Sequence, residues 1–230
     1  MNRAFVQSTE GVTLVGAGPV VRRDLAFALA RAPGLVAADG GADRVLALGR
    51  IPQAVVGDMD SLSDAARARL GAAAIHLVPE QETTDFDKAL RAVAAPFVLA
   101  LGFLGGRLDH ELAVLRGLVA SGARCLCLGR QDAVMALPEG RTDLALRAGD
   151  RLSLFPLAPV TGESAGLDWP IGGIGFAPAG RIGTSNRVTS GPVVLEMAGP
   201  GMLCILPRAR ADAALAAVRR GGGPTDARGG

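Results

Sequence analysis

Between Val12 and Leu128, short apolar runs alternate with stretches of helical periodicity. A chain built this way can bury its runs only as a mainly parallel sheet, because each helix carries the chain back to begin the next parallel strand. Six strands are predicted, at residues 12–15, 35–38, 54–56, 74–78, 97–101 and 124–128, each followed by glycine, aspartate or a turn cluster. Helices are predicted between them at 20–31, 42–48, 64–70, 85–93 and 109–120. In the last, Leu108, Leu112, Leu115 and Val119 recur at helical spacing and predict a buried stripe.

After Gly129 the rhythm changes to short runs at 143–146, 151–155, 193–197 and 202–206, separated by Gly and Pro clusters. That pattern predicts a smaller β-rich domain, a sandwich or roll. From Arg208 an alanine-rich helical stretch leads into Gly221-Gly222-Gly223-Pro224, which reads as a frayed tail. The expected organisation is therefore an α/β domain over 1–129, a β domain over 130–208 and a tail over 209–230.

Charge excludes one class of partner. With 24 basic against 22 acidic residues, the net charge of +2 is too balanced for a nucleic-acid footprint. The longest apolar stretch, 94–104, is broken by Pro96 and Gly102 and is far short of the ~20 residues that cross a bilayer. No signal-peptide core precedes Gly11, so the expectation is a soluble cytoplasmic protein with no membrane partner. Cys125, Cys127 and Cys204 lie in apolar runs far from His76 and His110, which favours reduced core thiols over a zinc site.

In open α/β sheets ligands gather beyond the carboxyl ends of the strands, and the aspartates concentrate there. Asp39 ends the second strand, Asp58 and Asp60 follow the third, Asp85 opens the helix after the fourth, and Arg107 and Asp109 follow the fifth. Asp58 and Asp60 are two apart, so in extended backbone both carboxylates point to one side and can share Mg²⁺, which takes one or two carboxylates with waters and phosphates. The ordinary alternative is an Asx-turn, with Ser61 or Ser63 capping the next helix. Lys88 is the only lysine in the chain, and it stands in Thr84-Asp85-Phe86-Asp87-Lys88. A capped helix start with a lysine one turn in can hold phosphate oxygens, although an ordinary capped surface helix has the same sequence. Gly105-Gly106-Arg107-Leu108-Asp109-His110 offers a flexible loop, a bidentate phosphate donor and an acid. His110 fits a structural role better than a proton donor's. Gly16-Ala17-Gly18 lacks the third glycine of the dinucleotide fingerprint, and no Gly-Lys-Ser/Thr phosphate loop is present.

Taken in order, Ala38-Asp39-Gly40-Gly41-Ala42, Gly57-Asp58-Met59-Asp60-Ser61, Thr84-Asp85-Phe86-Asp87-Lys88 and Gly106-Arg107-Leu108-Asp109-His110 resemble the motifs of the thiamine pyrophosphokinase family. Gly166-Leu167-Asp168-Trp169-Pro170 and Gly183-Thr184-Ser185-Asn186 look like that family's thiamine-side segments, so the resemblance spans residues 12–207. It implies a three-layer α/β/α domain with a six-stranded sheet, a β-sandwich domain, and a homodimer whose active sites lie between the catalytic domain of one subunit and the sandwich of the other. It also implies the reaction, in which Mg-ATP and thiamine give thiamine diphosphate and AMP. By the same match Asp58, Asp60 and Asp85 would serve Mg²⁺, Lys88, Arg107 and Asp109 the nucleotide phosphates with Asp39 beside them, and Trp169, Ser185 and Asn186 the thiamine. The catalytic set would be Asp58, Asp60, Asp85 and Lys88.

Two residues depart from the family pattern. Asp168 stands where lysine often precedes the tryptophan, and Val114 where many bacterial members have asparagine. Trp169, the only tryptophan in a chain without tyrosine, could offer thiamine's cationic ring a face worth about 0.5–2 kcal/mol. The rival readings are a pyrophosphokinase for another alcohol, such as a hydroxymethylpterin, and a catalytically silent thiamine or nucleotide sensor.

Overall fold

The computed structural model describes residues 4–221, which divide into two units: 4–117 with 127–130, and 118–126 with 131–221. In the first unit the strands are β1 (Val6–Gln7), β2 (Val12–Val15), β3 (Gly34–Ala38), β4 (Ala54–Gly57), β5 (Ile75–Leu77), β6 (Val93–Ala94) and β7 (Val98–Leu101). The helices are α1 (Arg22–Leu29), α2 (Gly41–Ala47), α3 (Asp64–Leu70) and α4 (Asp85–Ala92). Helix α5 (Leu108–Ser121) and strand β8 (Cys125–Leu128) carry residues of both units.

Every residue of β2, β4 and β7 is buried, as parallel strands covered on both faces require. β2 pairs in parallel with β7, β4 lies parallel between β3 and β5, and short β1 runs parallel to β6. The two larger groups meet at a bridge between Val12 and Pro33, where Gly34 N–H donates to the Gly11 carbonyl at 3.2 Å. The glycines after β2 serve backbone contact. Gly18 N–H donates to the Gly102 carbonyl at 2.9 Å, and a Cβ on Gly18 would lie 2.6 Å from that oxygen.

Helix starts follow their caps. Ser63 Oγ accepts from Ala66 N–H at α3. At α4, Thr84 Oγ1 accepts from Asp87 N–H while Asp87 Oδ2 accepts from Thr84 N–H, each at 3.2 Å. One expectation about α5 is corrected. Leu108 is 72% and Leu112 58% exposed, while Val114 and Leu118 are buried. This helix is apolar around much of its circumference, so spacing alone did not single out the face that packs.

The second unit contains β9 (Asp132–Leu137), β10 (Gly140–Leu144), β11 (Arg151–Pro156), β12 (Gly162–Ala165), β13 (Gly183–Arg187), β14 (Val193–Met197), β15 (Met202–Pro207) and α6 (Ala211–Arg220). Its antiparallel ladders run β13-β11-β15-β9 and β10-β14-β12. The alanine-rich stretch expected after Arg208 is α6, and Gly222, Gly223 and Pro224 lie outside the described residues. The three cysteines are buried and stand outside any disulfide, and burial pushes the Cys204 thiol up to about 12. Among the described residues no helix is long and apolar enough to cross a membrane.

Candidate active site

Asp39 follows β3 with φ 41°, and Met59, between Asp58 and Asp60, has φ 65°. Left-handed backbone at non-glycine residues carries a conformational cost and clusters where side chains must be aimed. The Asp58 and Asp60 carboxylates therefore converge through a left-handed turn, not through the extended backbone that their spacing suggested. One carboxylate oxygen from each of Asp39, Asp58 and Asp60 lies within 4.8 Å of the others. Ser61 knits the group together, its N–H donating to Asp39 Oδ2 at 3.1 Å and its hydroxyl to Asp60 Oδ1 at 2.9 Å.

Asp39 is 1% exposed, and its Oδ1 is buried without a hydrogen-bond partner. Burial raises its pKa to about 6 against the Ser61 N–H bond, with Asp60 and Asp85 adding to the rise. Three clustered carboxylates, one with an orphan oxygen, are the donor set a small hard cation satisfies. The residues present thus fit a divalent cation, with Asp39 joining Asp58 and Asp60. Asp85 instead reaches Lys88, at 3.6 Å, and its own pKa is raised by burial and by the Asp58 charge.

Lys88 is 3% exposed and donates to Asp58 Oδ2 at 2.8 Å. Burial pulls its pKa down, but the hydrogen bond and charge of Asp58, with Asp85 and Glu80, outweigh that, so the net shift is upward and the ammonium is retained. Asp58 is held below the usual carboxylate range, chiefly by the same bond, and Gln81 Nε2 donates to it at 3.3 Å. The solvated-face alternative for Lys88 does not fit this burial.

A cavity of about 560 Å³ opens over these groups. Asp58, Asp85, Lys88, Arg107, Asp109 and His110 all line it, and buried Val114 forms part of its apolar wall. Arg107 makes a bidentate pair with Asp109, at 3.1 and 2.6 Å, and both are largely exposed. Among the lining residues that carry polar side chains, Gln81 and Glu111 were not singled out from sequence. Glu111 Oε1 accepts from Gly105 and Gly106 N–H at 2.9 and 2.7 Å, filling the anion cradle of that loop. The signal available was an acid in the first turn of the helix that follows a glycine pair.

In the second unit, Trp169 is 61% exposed while Asn186 is buried, and Ser185 has φ 59°. These are the residues matched to the thiamine side.

A sequence model of the thiamin pyrophosphokinase catalytic domain matches residues 26–126, the stretch that contains Asp39, Asp58, Asp60, Asp85, Lys88, Arg107 and Asp109. Thiamine pyrophosphokinase 1 of Oryza sativa subsp. japonica is 27% identical over 187 residues, covering 66% of this chain and 71% of that one. Thiamin pyrophosphokinase 1 of Caenorhabditis elegans is 26% identical, covering 70% of this chain and 74% of its own. Over residues 26–126 this chain is similar to the catalytic domain of the thiamine pyrophosphokinase family. At the level of fold, thiamin pyrophosphokinase from Candida albicans superposes with a TM-score of 0.71 at 16% identity, covering 89% of this chain and 93% of that one. Asp58, Asp85, Lys88, Arg107 and Asp109 lie in the matched stretch and also line the cavity.

Proposed function

We propose that the chain is a thiamine diphosphokinase, transferring the pyrophosphoryl group of ATP to the hydroxyl of thiamine and releasing AMP. The observation that carries this reading is the buried Lys88 ammonium held between Asp58 and Asp85 in a cavity that also receives Arg107. A hydrogen-bonded cation at the floor and a movable guanidinium at the rim form a polyphosphate clamp. The Arg107–Asp109 pair is exposed and contributes little to stability, so the guanidinium can turn to a phosphate at small cost.

In this reading Asp58 and Asp60, with Asp85 or Asp39 as the third carboxylate, would hold Mg²⁺. A cation bound there would neutralise charge on the β- and γ-phosphates. The thiamine oxygen forms a bond to the β-phosphorus as the bond from that phosphorus to the α-phosphate oxygen breaks, AMP leaves with that oxygen, and the hydroxyl proton is released to solvent. Lys88 and Arg107 stabilise the oxygens that gain charge, while Asp60 or Asp85 orients the hydroxyl. Such transition states are loose, so positioning and electrostatics outweigh the need for a strong base. Trp169, Ser185 and Asn186 serve the thiamine side. The same proposal includes a three-layer α/β/α catalytic domain over 1–129, a β-sandwich over 130–208, a cytoplasmic homodimer, and active sites shared between subunits.

AMP release with ATP, Mg²⁺ and thiamine tests the reading. AMP formation with thiamine and none with a hydroxymethylpterin supports it, whereas the reverse preference assigns a pterin kinase. Ligand binding with no AMP from either acceptor would make the chain a sensor.

A further inference from the structure

The segment 166–169 is pinned along the end of β13 more tightly than an exposed loop requires. Gly166 (φ 86°) turns the chain so that Leu167 bridges Val188 in antiparallel fashion. Asp168 N–H donates to the Arg187 carbonyl at 2.8 Å, and Thr189 N–H donates to the Gly166 carbonyl at 2.9 Å. Leu167, 6% exposed, anchors the segment in the core. These contacts hold the backbone up to Asp168 but leave that of Trp169 to be held by something else.

That something is Asn186. Its Oδ1 accepts from Trp169 N–H at 3.2 Å, and its Nδ2 donates to the Trp169 carbonyl at 2.7 Å, so the side-chain amide binds both backbone groups of one residue as a neighbouring strand would. Oδ1 also accepts from Arg187 N–H at 2.8 Å. Two N–H donors on the oxygen and a carbonyl on the nitrogen fix the amide orientation, because the flipped form would set donor against donor.

A local irregularity aims Asn186 this way. Along β11 the pairing steps from Leu152 to Leu154 while on β13 it steps from Asn186 back to Gly183, so β13 carries one extra residue. Ser185 takes up that residue in the left-handed region, its N–H donating to Ser153 Oγ at 2.9 Å. Such bulges re-aim a side chain at the expense of one unpaired ladder position. Outside this amide, Asp168 and Arg187 close an ion pair across the same two segments, through both Nε and Nη2 of the guanidinium. Asp168 is the residue that departs from the family's lysine, and here it has a structural partner.

We infer that Asn186 and the Asp168–Arg187 pair are positioning residues that hold Trp169 as a preformed aromatic face for a cationic ring, Asn186 acting through the Trp169 backbone and not by touching the substrate. The oxygen of Asn186 is fully used by the clamp, and the residue is 6% exposed, while the ring it supports is 61% exposed. A side chain already ordered before binding spares the ligand that ordering cost. The inference rests on the thiamine reading for the identity of the cation, whereas the clamp itself stands on the contacts above.

Because Trp169 is the only tryptophan and tyrosine is absent, intrinsic fluorescence of the full chain reports on this one ring. The experiment compares time-resolved fluorescence anisotropy of the ligand-free protein with thiamine quenching and with steady-state kinetics. Asn186→Ala should increase the amplitude of fast local ring motion and raise the thiamine Kd and the KM for thiamine roughly ten-fold, a larger effect than on the KM for ATP. Asp168→Arg should loosen the ring in the same direction, and adding Arg187→Asp should restore it. Should Asn186→Ala fail to fold, Asp168→Asn removes only a surface pair and is read by the same three measurements. Unchanged ring motion in Asn186→Ala alongside weakened thiamine binding would overturn the inference, because Asn186 would then touch the substrate itself. Failure of the charge swap to restore the ring would remove the Asp168–Arg187 pair from it. A wild-type chain that thiamine does not quench would sink the thiamine reading, and the anisotropy of the variants would still decide the clamp.

Discussion

At Asp39, burial sets a carboxyl with a pKa of about 6 where the unfolded chain has 3.8. A group that binds its proton more tightly in the folded state adds no penalty below pH 4, destabilises progressively as pH rises towards 6, and exacts a constant penalty above that. About two pKa units correspond to roughly 3 kcal/mol as an upper figure. Asp39→Asn keeps an acceptor for Ser61 N–H and places a donor beside Asp60. The variant should therefore be more stable than the parent at pH 7.5 without divalent cation, with the gap closing towards pH 4 in urea titrations. A gap that does not change with pH would detach it from ionisation. Adding Mg²⁺ should reverse the order, since the parent keeps the third carboxylate. Lys88 makes the complementary case, a charge whose burial is offset by Asp58 and Asp85. Lys88→Arg puts a wider, planar group in a 3% exposed slot. Turnover should fall on the order of 10²-fold while binding of free thiamine changes little, and equal turnover in a folded variant would return Lys88 to a packing role.

Helix α4 owes its start to a reciprocal cap, and that cap is also a packing surface for α5. Asp87 Oδ2 closes the box with Thr84, while a Cβ on Gly117 of α5 would lie 2.3 Å from Asp87 Oδ1. Replacing a helical glycine by alanine ordinarily stabilises by about 0.5–1 kcal/mol. Gly117→Ala should instead destabilise by about 1 kcal/mol, because displacing Asp87 loosens a cap of the class worth ~1 kcal/mol. Thermal melts of Gly117→Ala, Thr84→Ala and the double variant check this: shared dependence on one cap makes the two changes less than additive, and full additivity would separate them. Elements with such local signals were legible in the sequence. Thr84 and Ser63 fixed helix starts, and the all-apolar parallel strands announced themselves. β12 and β13 did not, because Gly-Glu-Ser-Ala and Gly-Thr-Ser-Asn-Arg carry no apolar alternation and exist by pairing with β14 and β11. The α5 stripe misled for the opposite reason, an excess of apolar residues on several faces.

Across the whole molecule, motif order made the acidic cluster around Lys88 legible, but not how its members bond. Spacing placed Asp58 beside Asp60. It could not show the left-handed turn at Met59, the buried position of Asp39, or Glu111 folded back onto Gly105 and Gly106, since backbone conformation, burial and side-chain direction are not set by spacing. The proposed sharing of sites between subunits also belongs to this scale, and it can be tested without a structure of the dimer. Asp60→Asn should disable the phosphate side and Trp169→Ala the thiamine side at sub-saturating thiamine. If each site takes its phosphate side from one subunit and its thiamine side from the other, a mixed dimer holds one doubly altered site and one unaltered site. Co-expression of the two variants in equal amounts makes about half of the dimers mixed, so their unaltered sites should contribute about a quarter of parental activity and lift the mixture above the mean of the two variants measured alone. If each site is built within a single chain, every site in the mixture carries one substitution and no activity returns. Measuring AMP release from the purified mixture at a fixed low thiamine concentration separates the two arrangements, and separating the mixed dimers by orthogonal tags should raise the recovered activity to about half.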